Sequence, residues 1–258
     1  GNERPTICNI EEDYNLKVVS FNVENYKGVN DVQRTKIVAA LKAMDADIYA
    51  LLEVFGNSSL NDLCTALNTA CQTNQYKYIE NSTANQGMAC FIYNSNTVIP
   101  FKELQKNRLA DNGYLPDRKI AQAFDLKANN ERFIVCLNHW KAKDNSYNKP
   151  DEYADTGDGQ GSHVLRRVHE AEATLEFIKT VTAYFEDEDV LVVGDLNSYS
   201  KEDPIRVLEE GKLINELQKY APNEYSYAFF SNNSYATGYL DHSFATATLD
   251  AQICYAHP

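Results

Sequence analysis

Residues 189–200 have the sequence DVLVVGDLNSYS, an apolar run that ends abruptly in a polar turn. The aliphatic stretch 190–193 is typical of a strand that is buried on both faces of a sheet. Asp195 and Asn197 follow directly where this strand ends. Ligand sites of α/β proteins lie at the carboxyl ends of such strands. The stretch therefore predicts a covered sheet and a candidate site at its edge.

The same pattern recurs in four other stretches. They are LKVVSFNVEN (16–25), ADIYALLEV (46–54), ERFIVCLNHW (131–140) and YLDHSFAT (239–246). The polar residues that follow or open these apolar runs include Asn22, Glu53, His139, Asp241 and His242. A single cluster of this kind can be ordinary turn chemistry, but strand ends on one edge of a sheet converge in space. We therefore expect these side chains to form one site.

Amphipathic segments alternate with the strands along the whole chain. The long segment 163–185 has helical periodicity, with an apolar side that includes Val164, Val168, Leu175 and Ile178. LDAQICYA (249–256) predicts a final strand. Because no linker or repeat interrupts the alternation, the sequence predicts a single α/β domain over residues 1–258. We expect two packed β-sheets flanked by helices, which is a four-layer α/β sandwich.

The charge balance restricts the possible partners. The 258 residues include 24 Lys and Arg against 37 Asp and Glu, a net charge of −13 that opposes non-specific adhesion to nucleic acid or anionic lipid. A phosphate-bearing substrate must therefore meet metal ions or a local basic patch, to which Lys141 and Lys143 could contribute. No stretch approaches the ~18 apolar residues of a membrane span. We expect a monomer without a membrane span.

The residue types at the strand ends favour metal-assisted phosphoryl transfer. Carboxylate and amide oxygens bind hard cations, and imidazole donates hydrogen bonds to phosphate. The absence of cysteine from the cluster argues against a structural zinc site and against thiol chemistry. No G-x-S-x-G motif is present to indicate a serine nucleophile. If the backbone stays extended, Asn197 projects to the same side as Asp195.

Several motifs together resemble one family. SFNVEN, the Glu of ALLEV, NHWKAK, GDLNSYSKEDP and YLDHSFAT occur in the order found in the endonuclease/exonuclease/phosphatase superfamily, which includes pancreatic-type deoxyribonuclease and abasic-site endonucleases. The resemblance covers roughly residues 16–254. The loop DTGDGQGSHVLRRVHEA (155–171) is most similar to the branch of bacterial secreted nucleases. The resemblance implies a deoxyribonuclease-like fold, and with the Gly1 start it favours a secreted or periplasmic protein.

The resemblance also implies roles for individual residues. Glu53 should be the principal Mg²⁺ ligand with Asn22 beside it, and Mn²⁺ is a possible substitute. Asp195 would orient or deprotonate the attacking water, and Asn197 would fix Asp195 and the scissile phosphate. His139 would donate to a phosphate oxygen. Arg118, in PDRKIAQAF, resembles the basic residue that many members place on the phosphate.

The C-terminal motif departs from the family pattern. Many members carry two acidic motifs there, and this chain has only YLDH. Either Asp241 and His242 combine both roles, or Asp241 is the carboxylate that orients a histidine and the last motif lies beyond residue 258. The acidic partner that His139 has in the family is not evident near Gln86 and Gly87.

A structural Ca²⁺ ion is the other metal that the sequence suggests. Asp155 and Asp158 lie in the glycine-rich loop before residue 163 and could bind such an ion. Asp-Gly sequences are so common in turns that turn chemistry is the favoured interpretation.

Three functions remain open. The first is a metal-dependent phosphodiesterase, an endonuclease or exonuclease that acts on DNA or RNA. The second keeps the site but changes the substrate to a small or lipid phosphate ester. The third is a binding protein that has lost catalysis, which the missing terminal motif favours and the intact Glu53, Asp195, Asn197 and His139 oppose.

Overall fold

The computed structural model describes residues 14–81, 87–108, 118–143, 153–225, 227–231 and 234–258. The strands are β1 (Val18–Tyr26), β2 (Ile48–Phe55), β3 (Tyr76–Ile79), β4 (Gly87–Asn94), β5 (Val98–Lys106), β6 (Lys119–Leu126), β7 (Arg132–His139), β8 (Val190–Asp195), β9 (Ile214–Asn215), β10 (Tyr227–Ser231), β11 (Ser234–Gly238) and β12 (Asp241–Ala245). The helices are α1 (Asp31–Met44), α2 (Gly56–Cys71), α3 (Val164–Phe185), α4 (Asp203–Glu210), α5 (Glu216–Tyr220) and α6 (Ala247–Asp250).

Two mixed sheets form the centre of the molecule. The first has four strands in the order β1-β2-β4-β3, and the second has six in the order β5-β6-β7-β8-β12-β9. Each sheet contains one parallel pair, β1 with β2 and β7 with β8. The two strands of each pair run in the same direction, so the candidate residues near their carboxyl ends lie at the same end of each sheet.

Apolar side chains fill three layers of core around these sheets. One cluster lies between the sheets and includes Leu52 and Phe91 from the first and Phe124 and Val193 from the second. A second cluster packs α1 and α2 on the first sheet, and a third packs α3 and α4 on the second. The prediction of two packed sheets flanked by helices, the deoxyribonuclease-like α/β sandwich, is confirmed.

Helix α3 buries apolar side chains over its second half and polar ones nearer its N-terminus. Ile178 is buried as expected, but Val164, Val168 and Leu175 are only half-buried. Near its N-terminus the helix instead buries polar side chains, Arg167, Glu170 and Thr174. The apolar prediction therefore holds for Ile178 and for Leu175, which packs against the core, whereas Val164 and Val168 are only partly covered because this end of α3 packs over polar strand ends.

The predicted final strand at 249–256 is not formed. Strand β12 already pairs with β8 on one side and with β9 on the other. After Ala245 the chain turns into the short helix α6, and residues 251–258 lie outside any strand. The edge strand β9 has only two residues, so it offers little backbone for a further strand to pair with.

None of the helices in the described ranges is long and apolar enough to cross a membrane.

Candidate active site

Four of the predicted residues meet at the adjoining ends of the two sheets. The Asn22 side-chain amide donates to Glu53 Oε1 at 3.0 Å and to Asp195 Oδ2 at 3.3 Å. His139 Nε2 lies 3.6 Å from Glu53 Oε1 and 3.9 Å from Asp195 Oδ2. Asn22 and Glu53 come from the first sheet, and His139 and Asp195 from the second. The expected convergence of these strand ends is therefore present.

An irregular backbone positions the residues of the first sheet. Glu53 has a φ of 63°, at a register shift of β2, and Glu24 and Asn25 have a φ of 57° where β1 shifts register. The left-handed region is costly for residues other than glycine. It directs the Asn25 N–H to Glu53 Oε2 at 3.0 Å and the Glu24 N–H to Asn22 Oδ1 at 3.0 Å. Both predicted metal ligands are thus held by backbone amides.

Gly194 sets the position of the Asp195 backbone next to strand β7. It has a φ of +134°, and a Cβ atom there would lie 1.9 Å from the Asn138 carbonyl oxygen, so only glycine allows β7 and β8 to approach this closely. Asp195 then accepts the Asn197 N–H at 3.0 Å. Asn197 has a φ of 48° rather than the extended geometry assumed from its spacing, and its side-chain amide donates to the Trp140 carbonyl at 3.0 Å. Asn197 therefore fixes Asp195 through its backbone.

The carboxylates of the site repel each other. Burial, followed by the charge of Asp241, raises the pKa of Asp195 to about 7. The Asn197 N–H and the Asn22 amide act in the opposite direction, and Glu53 adds a smaller increase. An excess of buried negative charge of this kind favours a bound cation.

His139 is an uncharged, buried donor. Burial and then the nearby cations Arg118 and Lys119 lower the pKa of His139 to about 3. Among the described residues the Nδ1 atom of His139 has no hydrogen-bond partner. Gln86, near which the family has the acidic partner of this histidine, lies outside the described ranges. Arg118 is half-buried immediately before β6, with no partner for its Nε in the described part of the chain. Its charge acts on His139, which supports its placement near the site.

The donor set fits a hard divalent cation. Glu53 supplies a carboxylate and Asn22 an amide oxygen, and the charges of Glu53 and Asp241 both act on the buried Asp195 carboxyl group. In the ranges described, no group of three or more His, Cys, Asp or Glu side chains is arranged to enclose an ion. An ion held by Glu53 and Asn22 would complete its coordination with water and substrate, which suits Mg²⁺.

The structure brings Asp241 to the site and leaves His242 outside it. Asp241 lies directly opposite Asp195 in the β8–β12 pair, whereas His242 is opposite Gly194 and points to the other face. The His242 ring is buried between Tyr239 and Phe244, and its Nε2 donates to the Ser198 carbonyl at 2.7 Å. Asp241 therefore lies beside Asp195, its role as the orienting carboxylate stays a prediction, and His242 holds the loop that follows β8.

Two groups that the sequence left open are engaged in structural contacts. The Lys143 ammonium pairs with Glu202 and donates to the Gln160 carbonyl at 3.0 Å, so it is not free to offset the net charge at a substrate. Asp155 accepts the Gly157 N–H at 2.9 Å, and Asp158 accepts the Gln160 N–H at 2.9 Å. Turn chemistry thus explains both aspartates, and the structure adds no support for a Ca²⁺ site there.

Sequence reasoning missed Arg167, which is fully buried behind the site. Its guanidinium contacts the segments that follow β7 and β8. The available signal was the spacing of Arg167, Glu170 and Thr174, which puts three polar side chains on one face of α3.

Comparisons with known proteins agree with the fold. No curated protein matches the chain by sequence. Among solved structures, a mannosyl-6-phosphatase from Bacteroides thetaiotaomicron has a TM-score of 0.62 at 18% identity, over 90% of this chain and 85% of that one. TDP2 from D. rerio, complexed with a single-strand DNA product, has a TM-score of 0.60 at 13% identity, over 90% and 84%. The human Nocturnin catalytic domain with bound sulfate has a TM-score of 0.57 at 14% identity, over 84% and 76%.

At these identities the solved structures establish the fold alone. The family model described as Endonuclease/Exonuclease/phosphatase family matches residues 19–257, which is nearly the whole chain. This span includes every residue of the candidate site. The chain belongs to the endonuclease/exonuclease/phosphatase family.

Proposed function

We propose that this chain is a divalent-cation-dependent hydrolase of phosphoric esters that uses an activated water molecule. The observation that carries the proposal is the meeting of four side chains: Asn22 donates hydrogen bonds to Glu53 and Asp195, and His139 Nε2 lies within 3.9 Å of both carboxylates. Hydrolysis of phosphoric esters is the chemistry of the family. The buried, pre-oriented side chains also oppose the alternative of a binding protein that has lost catalysis.

Each residue has a part in this mechanism. Glu53 and Asn22 would hold the cation, Mg²⁺ or Mn²⁺, which when bound supplies positive charge to a phosphoryl oxygen. Asp195 orients the water and accepts its proton, while the Asn197 N–H holds the carboxylate in place. His139, in its neutral form, donates an N–H to a phosphate oxygen. Arg118 adds positive charge on the same side.

Nucleic acid is the first candidate substrate. One family neighbour was solved with a single-strand DNA product, and we extend that substrate class to this chain as part of the proposal. Metal ions and a focused basic region can override a net charge of −13. The assay described below decides whether the chain hydrolyses DNA or RNA, and the products show whether it cuts within the strand or from an end.

A small phosphate ester is the second candidate, and the charges behind the site favour it. Lys143 is paired with Glu202, and Lys119 is buried in an ion pair with Glu170 at 2.8 Å. These two cations therefore do not form a surface track for a polyanionic backbone. A mannosyl-6-phosphatase is among the structural neighbours.

One assay tests the function and separates the substrates. The purified chain is incubated with plasmid DNA, RNA and a panel of phosphomonoesters, in Mg²⁺, in Mn²⁺ and in a chelator. We expect cation-dependent release of product from at least one substrate, and the same preparation of Asp195→Asn controls for a contaminating nuclease. Hydrolysis that survives the chelator, or no hydrolysis of any substrate, would contradict the proposal.

A further inference from the structure

We infer that Arg167 is a positioning residue for the proposed hydrolase, which holds the segments after β7 and β8 in a fixed arrangement. The inference rests on the proposed function, because those two segments follow His139 and Asp195. Arg167 itself is not expected to touch the substrate, since its side chain is completely buried.

The guanidinium of Arg167 joins three separate segments of the chain. It donates to the Lys141 carbonyl at 3.3 Å, after β7, and to Ser198 Oγ at 3.2 Å, after β8. It also donates to the Ser162 carbonyl at 2.8 Å and to the Gln160 carbonyl at 2.9 Å, in the loop before α3. One side chain on α3 thus holds three loops together at the sheet edge.

These contacts are close in sequence to the residues that act on the phosphate. Lys141 is two residues after His139, and Ser198 is next to Asn197. Between them, the Trp140 N–H donates to the Asp195 carbonyl at 3.0 Å, and the Asn197 side chain donates to the Trp140 carbonyl at 3.0 Å. A shift of either loop would therefore displace Asp195, Asn197 or His139 relative to the others.

The charges around Arg167 favour a role in geometry over a role in stability. Glu202 Oε2 lies 3.7 Å from the Arg167 guanidinium, and the other oxygen of Glu202 pairs with Lys143. Burial of this kind lowers the pKa of the Arg167 guanidinium from its usual range, in spite of Glu202. Buried ion networks contribute little net stability relative to apolar packing, and in some proteins they specify one arrangement of the chain, which is the role inferred for Arg167.

Lysine cannot reproduce the contacts of Arg167. The guanidinium presents five N–H groups in a rigid plane, and these reach carbonyl and hydroxyl oxygens in three directions. A lysine ammonium keeps the charge beside Glu202 but reaches fewer of these oxygens. Arg167→Lys is therefore a variant that can fold while losing the fixed spacing between the loops.

The experiment compares Arg167→Lys with a matched control at the other end of β7. Arg132 also binds a carboxylate and a backbone carbonyl, through Asp125 at 2.7 Å and Phe185 at 3.3 Å. Arg132→Lys should lower the melting temperature and leave turnover near that of the wild type. Arg167→Lys should lower kcat by about 10- to 100-fold with KM within about threefold, because a displacement of about 1 Å can cost that much.

Amide hydrogen exchange gives a second readout that needs no turnover. The N–H groups of Trp140 and Asn197 both bond to Asp195, so they report the arrangement of the two loops. We expect both amides to exchange faster in Arg167→Lys, by about tenfold or more, and to be unchanged in Arg132→Lys. A purely structural role would instead affect exchange throughout the molecule in both variants.

The outcomes separate this inference from the proposed function. Wild-type kcat in a folded Arg167→Lys, or equal losses in the two lysine variants, would overturn the inference. If Arg167→Lys does not fold, Ser198→Ala decides: a loss in kcat of about threefold or more supports the inference, and wild-type kcat overturns it. If the wild type hydrolyses no ester, the proposed function fails, and the exchange of the two amides alone decides whether Arg167 positions the loops.

Discussion

Replacement of Asp195 by asparagine is the most direct test of the proposed chemistry. The Asp195 carboxylate accepts the Asn197 N–H at 3.0 Å through one oxygen and the Asn22 amide at 3.3 Å through the other. Asparagine has nearly the same shape and keeps an oxygen for the Asn197 N–H. The turn after β8 should therefore remain, while the group that accepts the proton of water is lost.

The expected loss follows from those contacts. General-base assistance contributes about 100- to 10,000-fold to a rate, which corresponds to about 3 to 5 kcal/mol of activation free energy. The contact with Asn22 is long, so its loss should add little to this cost. We expect Asp195→Asn to lower kcat at least 100-fold with little change in KM, in steady-state kinetics on the best substrate of the panel.

Asp187 provides a matched control at the opposite end of β8. Asp187 Oδ1 accepts the Asp189 N–H at 2.9 Å, the same two-residue turn that Asp195 forms with Asn197. Asp187→Asn should fold and turn over like the wild type. If Asp195→Asn retains activity within about fivefold of Asp187→Asn, with both folded in a thermal melt, Asp195 only stabilises a turn and the proposed role is wrong.

Three further predictions concern the metal, the pH dependence of stability and the sheet. Glu53→Gln should abolish cation-dependent turnover and weaken Mg²⁺ binding in calorimetry without unfolding the chain; full activity at physiological Mg²⁺ would refute it. Burial and then the charge of Asp250 raise the pKa of Glu216 to about 7, against the effect of Lys219. Because the folded state therefore favours the protonated carboxyl group, the free energy of unfolding should fall as the pH rises from about 4.5 through 7, by up to about 3 kcal/mol. Glu216→Gln should remove this fall in urea titrations at pH 5 and pH 8, and an unchanged pH dependence would exclude Glu216 as its source. Gly194→Ala should cost about 3 kcal/mol or more in the same titrations, and near-wild-type stability would show that β7 and β8 can separate.

The sequence by itself determined the layers of the fold and most of the site. Runs such as 190–193 can be satisfied only by burial on both faces, and the alternating helices provide the cover. Because parallel strands present their carboxyl ends at one edge of a sheet, His139 and Asp195 were predictable as neighbours. Local residue order was sufficient for these conclusions, since each depends on the period of a strand or helix.

Only the tertiary structure decided the orientation of the remaining residues. His242 follows Asp241 in the motif, but the register with β8 turns its ring to the opposite face, toward Ser198. Asn197 was expected to continue an extended strand, and a left-handed backbone instead makes its N–H the contact to Asp195. Arg167 lies on the buried face of α3 at the end where that face meets polar segments, so its partners come from the loops after β7 and β8. These features depend on which chain segments pack together, and periodicity along one segment carries no information about the chemistry of its neighbour.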